Sequence, residues 1–431
     1  MQNLASWGVA VPTILLPKAD IDLTQWAVIA CDQFTQDRTY WNRVKDYVGE
    51  SPSSLNLVFP EVYLEDPDAL QRITTIHQTM RTYCDGDVFA PPLQSFVYVE
   101  RRCPGNGCRQ GLLLALDLER YDWHPDARTL IRATEGVIAE RLPSRMQVRR
   151  GAPLELPHTI VLIDDESNTL LPTLGAIAHR RPPLYTTTLM LDSGDLSAWA
   201  LSLEDAGAVL ARGLASLAQK TKHSNETDPF LFAVGDGNHS LAAAKAIWEE
   251  YKQAHPTVIE HPLRWALVEI ENIYDALITF EPIHRIIRGA TIPELRSALQ
   301  ALPGFTCSAV PSRSALAALV ADTNVDNARL GLTAGQDYLL LECDVKGIIT
   351  TAVQPLLDAA LSAGHYTIDY IHGEDELFRL SANGSSGVLL PPVKKSGFFQ
   401  TVAQNGPLPR KSFSMGRAQE KRFYLESRTL F

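Results

Sequence analysis

The sequence predicts an α/β (α+β) protein built around a mixed sheet, and three observations carry this. Between about residues 129 and 286, short apolar runs alternate with helical patterns, the order expected when strands and helices layer on one another. Within that stretch, Pro229-Phe230-Leu231-Phe232-Ala233-Val234 runs into Gly235-Asp236-Gly237, and a strongly helical segment over 241–252 follows. Upstream, two β-rich runs over 95–100 and 111–116 flank Cys103-Pro104-Gly105-Asn106-Gly107-Cys108, a hairpin signal.

Taken in order, residues 26–31 read as a strand, 36–47 as a polar helix and 70–84 as a helix with apolar residues at helical spacing. After the hairpin, strands are expected over 129–133, 159–163, 185–190, 230–234 and 265–270. Helices are expected over 170–179, 204–220 and 241–252, and the polar stretch 222–228 is a surface loop. Residues 290–380 read as a smaller α+β unit, with helices over 292–302, 314–321 and 354–363 and a strand over 338–342. The tail holds an apolar run over 387–392 and a basic, polar run over 409–414. No internal repeat, low-complexity tract or long Gly/Ser linker interrupts the chain. This suggests an N-terminal α+β region over 1–92, a core over 93–288, a smaller domain over 289–384 and a C-terminal segment over 385–431.

The 431 residues suffice for two or three compact domains. A hydrophobic content of 45% and a charged content of 21% are those of a soluble globular protein. No apolar run approaches the roughly 18 residues of a membrane helix. Met1-Gln2-Asn3-Leu4 does not open a secretory signal, so a cytoplasmic protein with no membrane partner is expected. The net charge of −11 argues against broad nucleic-acid binding, which rests on lysine and arginine contacts to phosphate. The six cysteines are too sparse for a disulfide framework; Cys103 and Cys108 can face each other across a hairpin but read as reduced thiols. There is no C-x-x-C pair, H-E-x-x-H, Walker A, G-x-S-x-G or G-x-G-x-x-G motif.

Chemistry concentrates at Asp236-Gly237-Asn238-His239-Ser240. The first backbone N–H groups of a helix have no helical partners, and its dipole adds partial positive charge, so a phosphate or carboxylate fits there. Gly237 lets the backbone approach an anion closely. Asp236 stands where a metal can bridge to that anion, and His239 and Ser240 add donors. An ordinary N-capped helix after a βα turn, with Asp236 or Asn238 as the cap, has the same signature, and the motif alone leaves both readings open.

Three further segments bear on the choice. Ile131-Arg132-Ala133-Thr134-Glu135 lies upstream of the loop, with Pro282-Ile283-His284-Arg285 and Leu408-Pro409-Arg410-Lys411-Ser412-Phe413 downstream. In this order, with Ile29-Ala30-Cys31-Asp32-Gln33-Phe34, Leu55-Asn56-Leu57-Val58-Phe59-Pro60-Glu61 and Val388-Leu389-Leu390-Pro391-Pro392, the chain resembles the bacterial and archaeal family called domain of unknown function 1015, DUF1015. That family is related to free L-serine kinases of the ParB/sulfiredoxin-like fold, which phosphorylate serine with ADP or ATP and Mg²⁺. The resemblance implies such a core with N-terminal and C-terminal α+β additions. It matches the family's catalytic glutamate to Glu135, preceded by Thr134 rather than histidine. It matches the phosphate loop to Asp236, Gly237 and His239, with Asn238 where the family has histidine and Ser240 where it has arginine. The late lysine segment matches Lys411 and Ser412. A sulfiredoxin's reactive cysteine and the loop arginines of ParB proteins are both absent here.

The expectation is a Mg²⁺-dependent small-molecule kinase that makes O-phospho-L-serine from ATP or ADP. Glu135 is the general base and Asp236 the metal ligand. Gly237, Asn238, His239 and Ser240 hold phosphate, and Lys411, Ser412 and Arg285 hold substrate, the C-terminal segment returning to the site. Arg132, Arg141 and Arg285 are candidates to replace the lost loop arginine. The competing class is a non-catalytic protein of the same fold that senses nucleotide or phosphoserine. Its partners are small molecules rather than nucleic acid, and a homodimer is one open assembly.

Overall fold

The computed structural model describes residues 4–103, 107–221, 229–322, 324–364 and 366–431. The hairpin tip at 104–106 and the loop over 222–228 lie outside the described residues. The chain forms two units: Met1–Ile278 with Arg417–Phe431, and Thr279–Gly416.

The first unit is organised by a ten-stranded sheet. Its strands are β1 (Val9–Ala10), β2 (Phe96–Arg102), β3 (Cys108–Asp117), β4 (Tyr121–Asp122), β5 (Ile131–Ala133), β6 (Ile160–Ile163), β7 (Tyr185–Thr188), β8 (Asp195–Leu201), β9 (Phe232–Asp236) and β10 (Trp265–Asn272). The order is β7-β8-β2-β3-β10-β6-β9-β5-β4, with β1 also on β3. The sheet is mixed: β9 runs parallel to β5 and antiparallel to β6, and β6 runs parallel to β10. The expected α/β class with a mixed sheet is the one observed.

Alternate residues of a strand face opposite sides, and here both sides are buried. Phe96, Tyr98, Leu112, Leu114, Val161, Phe232 and Val234 pack on one side beneath helices Leu170–Ala178, Leu203–Thr221 and Asn238–Ala254. Val97, Val99, Leu113 and Leu267 pack on the other, against Trp26, Trp41, Val44, Ile73, Ile76 and Met80. The region over 1–92 thus covers the second face of the sheet. Its helices are α1 (Arg38–Val48) and α2 (Ala69–Asp85). Residues 417–431 complete this layer: Phe423–Tyr424 pairs with Val28–Ile29, and Arg428–Thr429 pairs with Leu154–Glu155.

Some expected elements differ. The stretch 26–31 is not one strand. Leu23–Trp26 is a helical turn because Asp22 accepts the Thr24 N–H at 2.8 Å, and only Val28–Ile29 is extended. The strand expected to reach 190 stops at Thr188, since Leu191 and Asp192 turn the chain with φ of 55° and 56°. The sequence reading also passed over β8, whose pattern is broken by Ser197 and Trp199.

The second unit is a seven-stranded sheet with apolar clusters about Leu295, Leu332 and Val353 and about Leu316, Leu340 and Leu377. Its strand Phe280–Arg288, next to the edge, pairs antiparallel with Thr367–His372, Ser386–Leu389 and Phe413–Met415. Helices Ile292–Leu299, Arg313–Ala321 and Thr350–Ala363 match the expected ones within a few residues. No helix among the described residues is long and apolar enough to cross a membrane.

Candidate functional site

Helix Asn238–Ala254, here α6, begins at Asn238 rather than at 241. Leu241 N–H already bonds the Gly237 carbonyl at 3.0 Å. Gly237 takes the left-handed conformation, φ 77°, and a Cβ there would meet Thr159 Oγ1 at 2.9 Å, so both backbone and space call for glycine. Among the described residues no side chain caps this helix end. The ordinary N-cap reading of Asp236 and Asn238 therefore does not hold, and the first-turn N–H groups are left for another acceptor.

Asn238 faces inward. Its Oδ1 accepts the Thr134 N–H at 3.2 Å, and its Nδ2 donates to the Val234 carbonyl at 3.2 Å. The Thr134 hydroxyl donates to the same carbonyl at 2.6 Å. The Ile138 N–H donates to His239 Nε2 at 3.1 Å. The segment 134–138 is strapped to the loop at both ends, with Glu135 between the straps. In the parallel register Val234 lies opposite Ala133, so Glu135 and Asp236 each follow this facing pair by two residues. Neighbouring strands are about 5 Å apart, so the backbones of the two residues leave the sheet at the same end.

Asp236 is held on both oxygens: Oδ1 accepts the Gly237 N–H at 3.1 Å, and Oδ2 pairs with Lys421 Nζ at 2.9 Å. Ser240 Oγ lies 2.9 Å from His158 Nε2, and His158 Nδ1 lies 2.9 Å from the Tyr424 hydroxyl. That hydroxyl accepts the Cys31 N–H at 3.1 Å, and Asp32 Oδ2 stands 3.7 Å from His158 Nε2. Burial, with the neighbouring Asp32 and Glu61 carboxylates, pushes the Cys31 thiol well up, so it stays protonated. Arg132 is turned away, its Nε bonded to the Thr129 carbonyl at 2.9 Å and its guanidinium over Phe230. The cations whose field reaches His239 are Arg145 and Arg141.

Arg285, Lys411 and Ser412 belong to the second unit. Arg285 is fully buried and donates to Gln354 Oε1 at 3.0 Å and to the Lys411 carbonyl at 2.9 Å. Burial lowers its pKa to about 10. The Ser412 hydroxyl donates to the Pro409 carbonyl at 2.6 Å and accepts from Thr350 at 2.8 Å. Lys411 has a left-handed backbone, φ 57°.

A family model described as protein of unknown function (DUF1015) matches residues 14–360. The chain belongs to the DUF1015 family. No curated protein matches this DUF1015 chain. Among solved structures, it is similar to a mutant free serine kinase in complex with AMP, at 10% identity and a TM-score of 0.38, over 75% of this chain and 90% of that one. It is similar to a conserved hypothetical protein from Pyrococcus furiosus at 10% identity and a TM-score of 0.35, over 74% and 97% of the two chains. A C-terminally truncated SbnI from Staphylococcus aureus shares 10% identity at a TM-score of 0.36, over 74% and 82%.

Four residues near the DUF1015 loop carried no sequence signal: Lys421, His158, Tyr424 and Arg145. Lys421 and His158 bond Asp236 and Ser240, Tyr424 holds His158, and Arg145 pairs with Glu61 nearby; none is close to the loop in sequence. The state of His239 gives a testable consequence. Burial, with Arg145 and Arg141 adding to it, pushes the imidazole down from 6.5 to about 4. The folded ring stays neutral where the unfolded one gains a proton. Its contribution to stability is therefore full above about pH 6.5 and is lost as pH falls toward 4. Urea midpoints of wild type and His239→Gln, measured from pH 7.5 to 4, should converge as pH drops; parallel curves would refute the assignment.

Proposed function

We propose that this protein binds a Mg²⁺-nucleotide at the N-terminus of α6 and transfers a phosphoryl group to the hydroxyl of a free amino acid, with serine the acceptor that the sequence resemblance implies. The observation that carries the reading is the uncapped helix end with Glu135 strapped beside it by the Thr134–Asn238 and Ile138–His239 bonds. In this reading the N–H groups of the first turn receive phosphate oxygens. Glu135 takes the proton from the attacking hydroxyl. Arg141 and Arg145 supply the positive charge that a loop arginine would bring. His239, whose Nε2 accepts the Ile138 N–H, has Nδ1–H left as its donor. Within the second unit, Arg285 and Ser412 shape the Lys411 turn.

Mg²⁺ takes one or two carboxylates and completes its shell with phosphate oxygens and water, neutralising charge on the phosphates. Asp236 fits as the carboxylate. Lys421 must share or yield Oδ2 when a cation binds, so the pair is a ready exchange of one positive charge for another.

The test is phosphorus NMR of the purified protein with Mg²⁺, ATP or ADP, and a panel of free hydroxy amino acids. O-phosphoserine should appear. Asp236→Asn should weaken Mg²⁺-nucleotide binding about tenfold or more, since it removes a hard anionic ligand. A wild type that binds nucleotide but phosphorylates no hydroxy amino acid would instead support the sensor reading, which the internal bonding of Asn238 favours.

A further inference from the structure

Asp236 already holds a cation. Its Oδ2 pairs with Lys421 Nζ at 2.9 Å, the lysine side chain being 9% exposed and the carboxylate 20%. The lysine is fixed at its backbone. Its N–H bonds the Ala418 carbonyl at 3.2 Å, the Arg422 carbonyl accepts the Ala30 N–H at 2.9 Å, and Phe423 lies opposite Ile29. The neighbouring Arg422 side chain is locked between Glu269 and Glu426. Only the flexible four-carbon stem of Lys421 is left to move, so its ammonium can turn about Asp236 but cannot leave the start of α6.

The charges of the pair set an order of binding. Asp236 and Lys421 together are neutral. A divalent cation coming alone to Asp236 meets the Lys421 ammonium at close range in a half-buried place, where like charges repel strongly. The protein offers little to offset this. Among the described residues there is no group of three or more histidine, cysteine, aspartate or glutamate side chains that could hold a metal ion. A nucleotide reverses the balance. Its phosphates bring several negative charges to the helix N-terminus, supply the oxygen ligands that one carboxylate lacks, and give the displaced ammonium a new partner.

We infer that Lys421 couples metal to nucleotide at this site. It closes Asp236 to a divalent cation until phosphates are present, and then turns its ammonium to them. This rests on the reading of Asp236 proposed above and adds the residue that regulates it. Lys421 is a positioning residue, and it lies outside the segments that carry the family resemblance.

Two titrations of the full chain test it, and neither reads phosphoserine. In the first, without nucleotide, electron paramagnetic resonance follows free Mn²⁺, a stand-in for Mg²⁺. Lys421→Met should bind Mn²⁺ about tenfold or more tightly than wild type, since the competing charge is gone. In the second, calorimetry follows ATP in EDTA. Lys421→Met should bind ATP about tenfold more weakly, since a cation facing phosphate is lost and Asp236 is left unneutralised. The opposite signs are the signature, because loss of a side chain that merely held the turn in place would weaken both. Lys421→Arg, which keeps the charge, should stay with the wild type in both titrations. Adding Asp236→Asn to Lys421→Met should remove the gained Mn²⁺ binding. Circular dichroism checks the fold; should Lys421→Met be unfolded, Lys421→Gln carries the same two expectations. An unchanged or lowered Mn²⁺ affinity, an unchanged ATP affinity, or a Mn²⁺ gain that survives Asp236→Asn would overturn the inference. A protein that shows both shifts yet phosphorylates no hydroxy amino acid keeps the coupling and loses the kinase reading. One that makes phosphoserine and shows neither shift does the reverse.

Discussion

Glu135→Gln should lower phosphoserine formation by about 100-fold or more, the usual worth of a general base, while nucleotide affinity changes little. The substitution preserves shape and removes the basic oxygen. Its neighbours Thr134 and Ile138 bond the loop through backbone N–H groups, which the change leaves in place. Single-turnover kinetics with saturating nucleotide separate the chemical step from binding. Full activity in this variant would remove Glu135 from the mechanism. A loss of nucleotide affinity with unchanged turnover would place its carboxylate on the donor side instead.

Arg422→Met should destabilise the protein by about 3–5 kcal/mol, the range for removing one partner of a buried ion pair. Arg422 is 4% exposed and pairs with Glu269 and, at 2.5 Å, with Glu426. Its Nε also donates to the Pro157 carbonyl at 2.8 Å, next to His158. Burial opposes charge on this guanidinium, but Glu269 and Glu426 outweigh it and hold it firmly protonated. With methionine there, two carboxylates remain in the sheet's second face with less compensation. Urea unfolding monitored by tryptophan fluorescence measures the loss. Adding Glu426→Gln should recover part of it, because the pair is coupled and single-variant effects do not add. A change below about 1 kcal/mol would show that solvent relaxes into the cluster.

Local physics decides what could be read from the residues alone. The turn at Asp236-Gly237 was legible because an apolar strand, a glycine that needs positive φ and a helical run are contiguous. The mixed sheet was legible for the same reason: β6 and the first three residues of β9 are apolar on both sides, and such runs stand out. The stretch 26–31 was misread because Trp26-Ala27-Val28-Ile29-Ala30 has strand composition while the Asp22 cap acts from outside it. Asn238 stands where the sequence resemblance implies a phosphate-loop histidine, yet its amide serves Thr134 and Val234, and only coordinates can show that. Lys421 and His158 reach Asp236 and Ser240 from distant points in the chain, and no spacing rule links them. The covering role of the region over 1–92 was hidden likewise, since its apolar residues reveal burial but not the surface they bury against.

Residues 417–431 belong to the first unit although 279–416 intervene. During synthesis the ribosome must release the entire second unit before Lys421 can reach Asp236, or Phe423–Tyr424 can pair with Val28–Ile29. A nascent chain halted anywhere in that insertion carries the loop and Glu135 but lacks the lysine, the His158 partner Tyr424 and the last strands of the covering layer. The arrangement acts as a completeness check. The loop acquires its full set of partners only in a polypeptide translated past residue 424, so interrupted products cannot assemble the same surroundings for it.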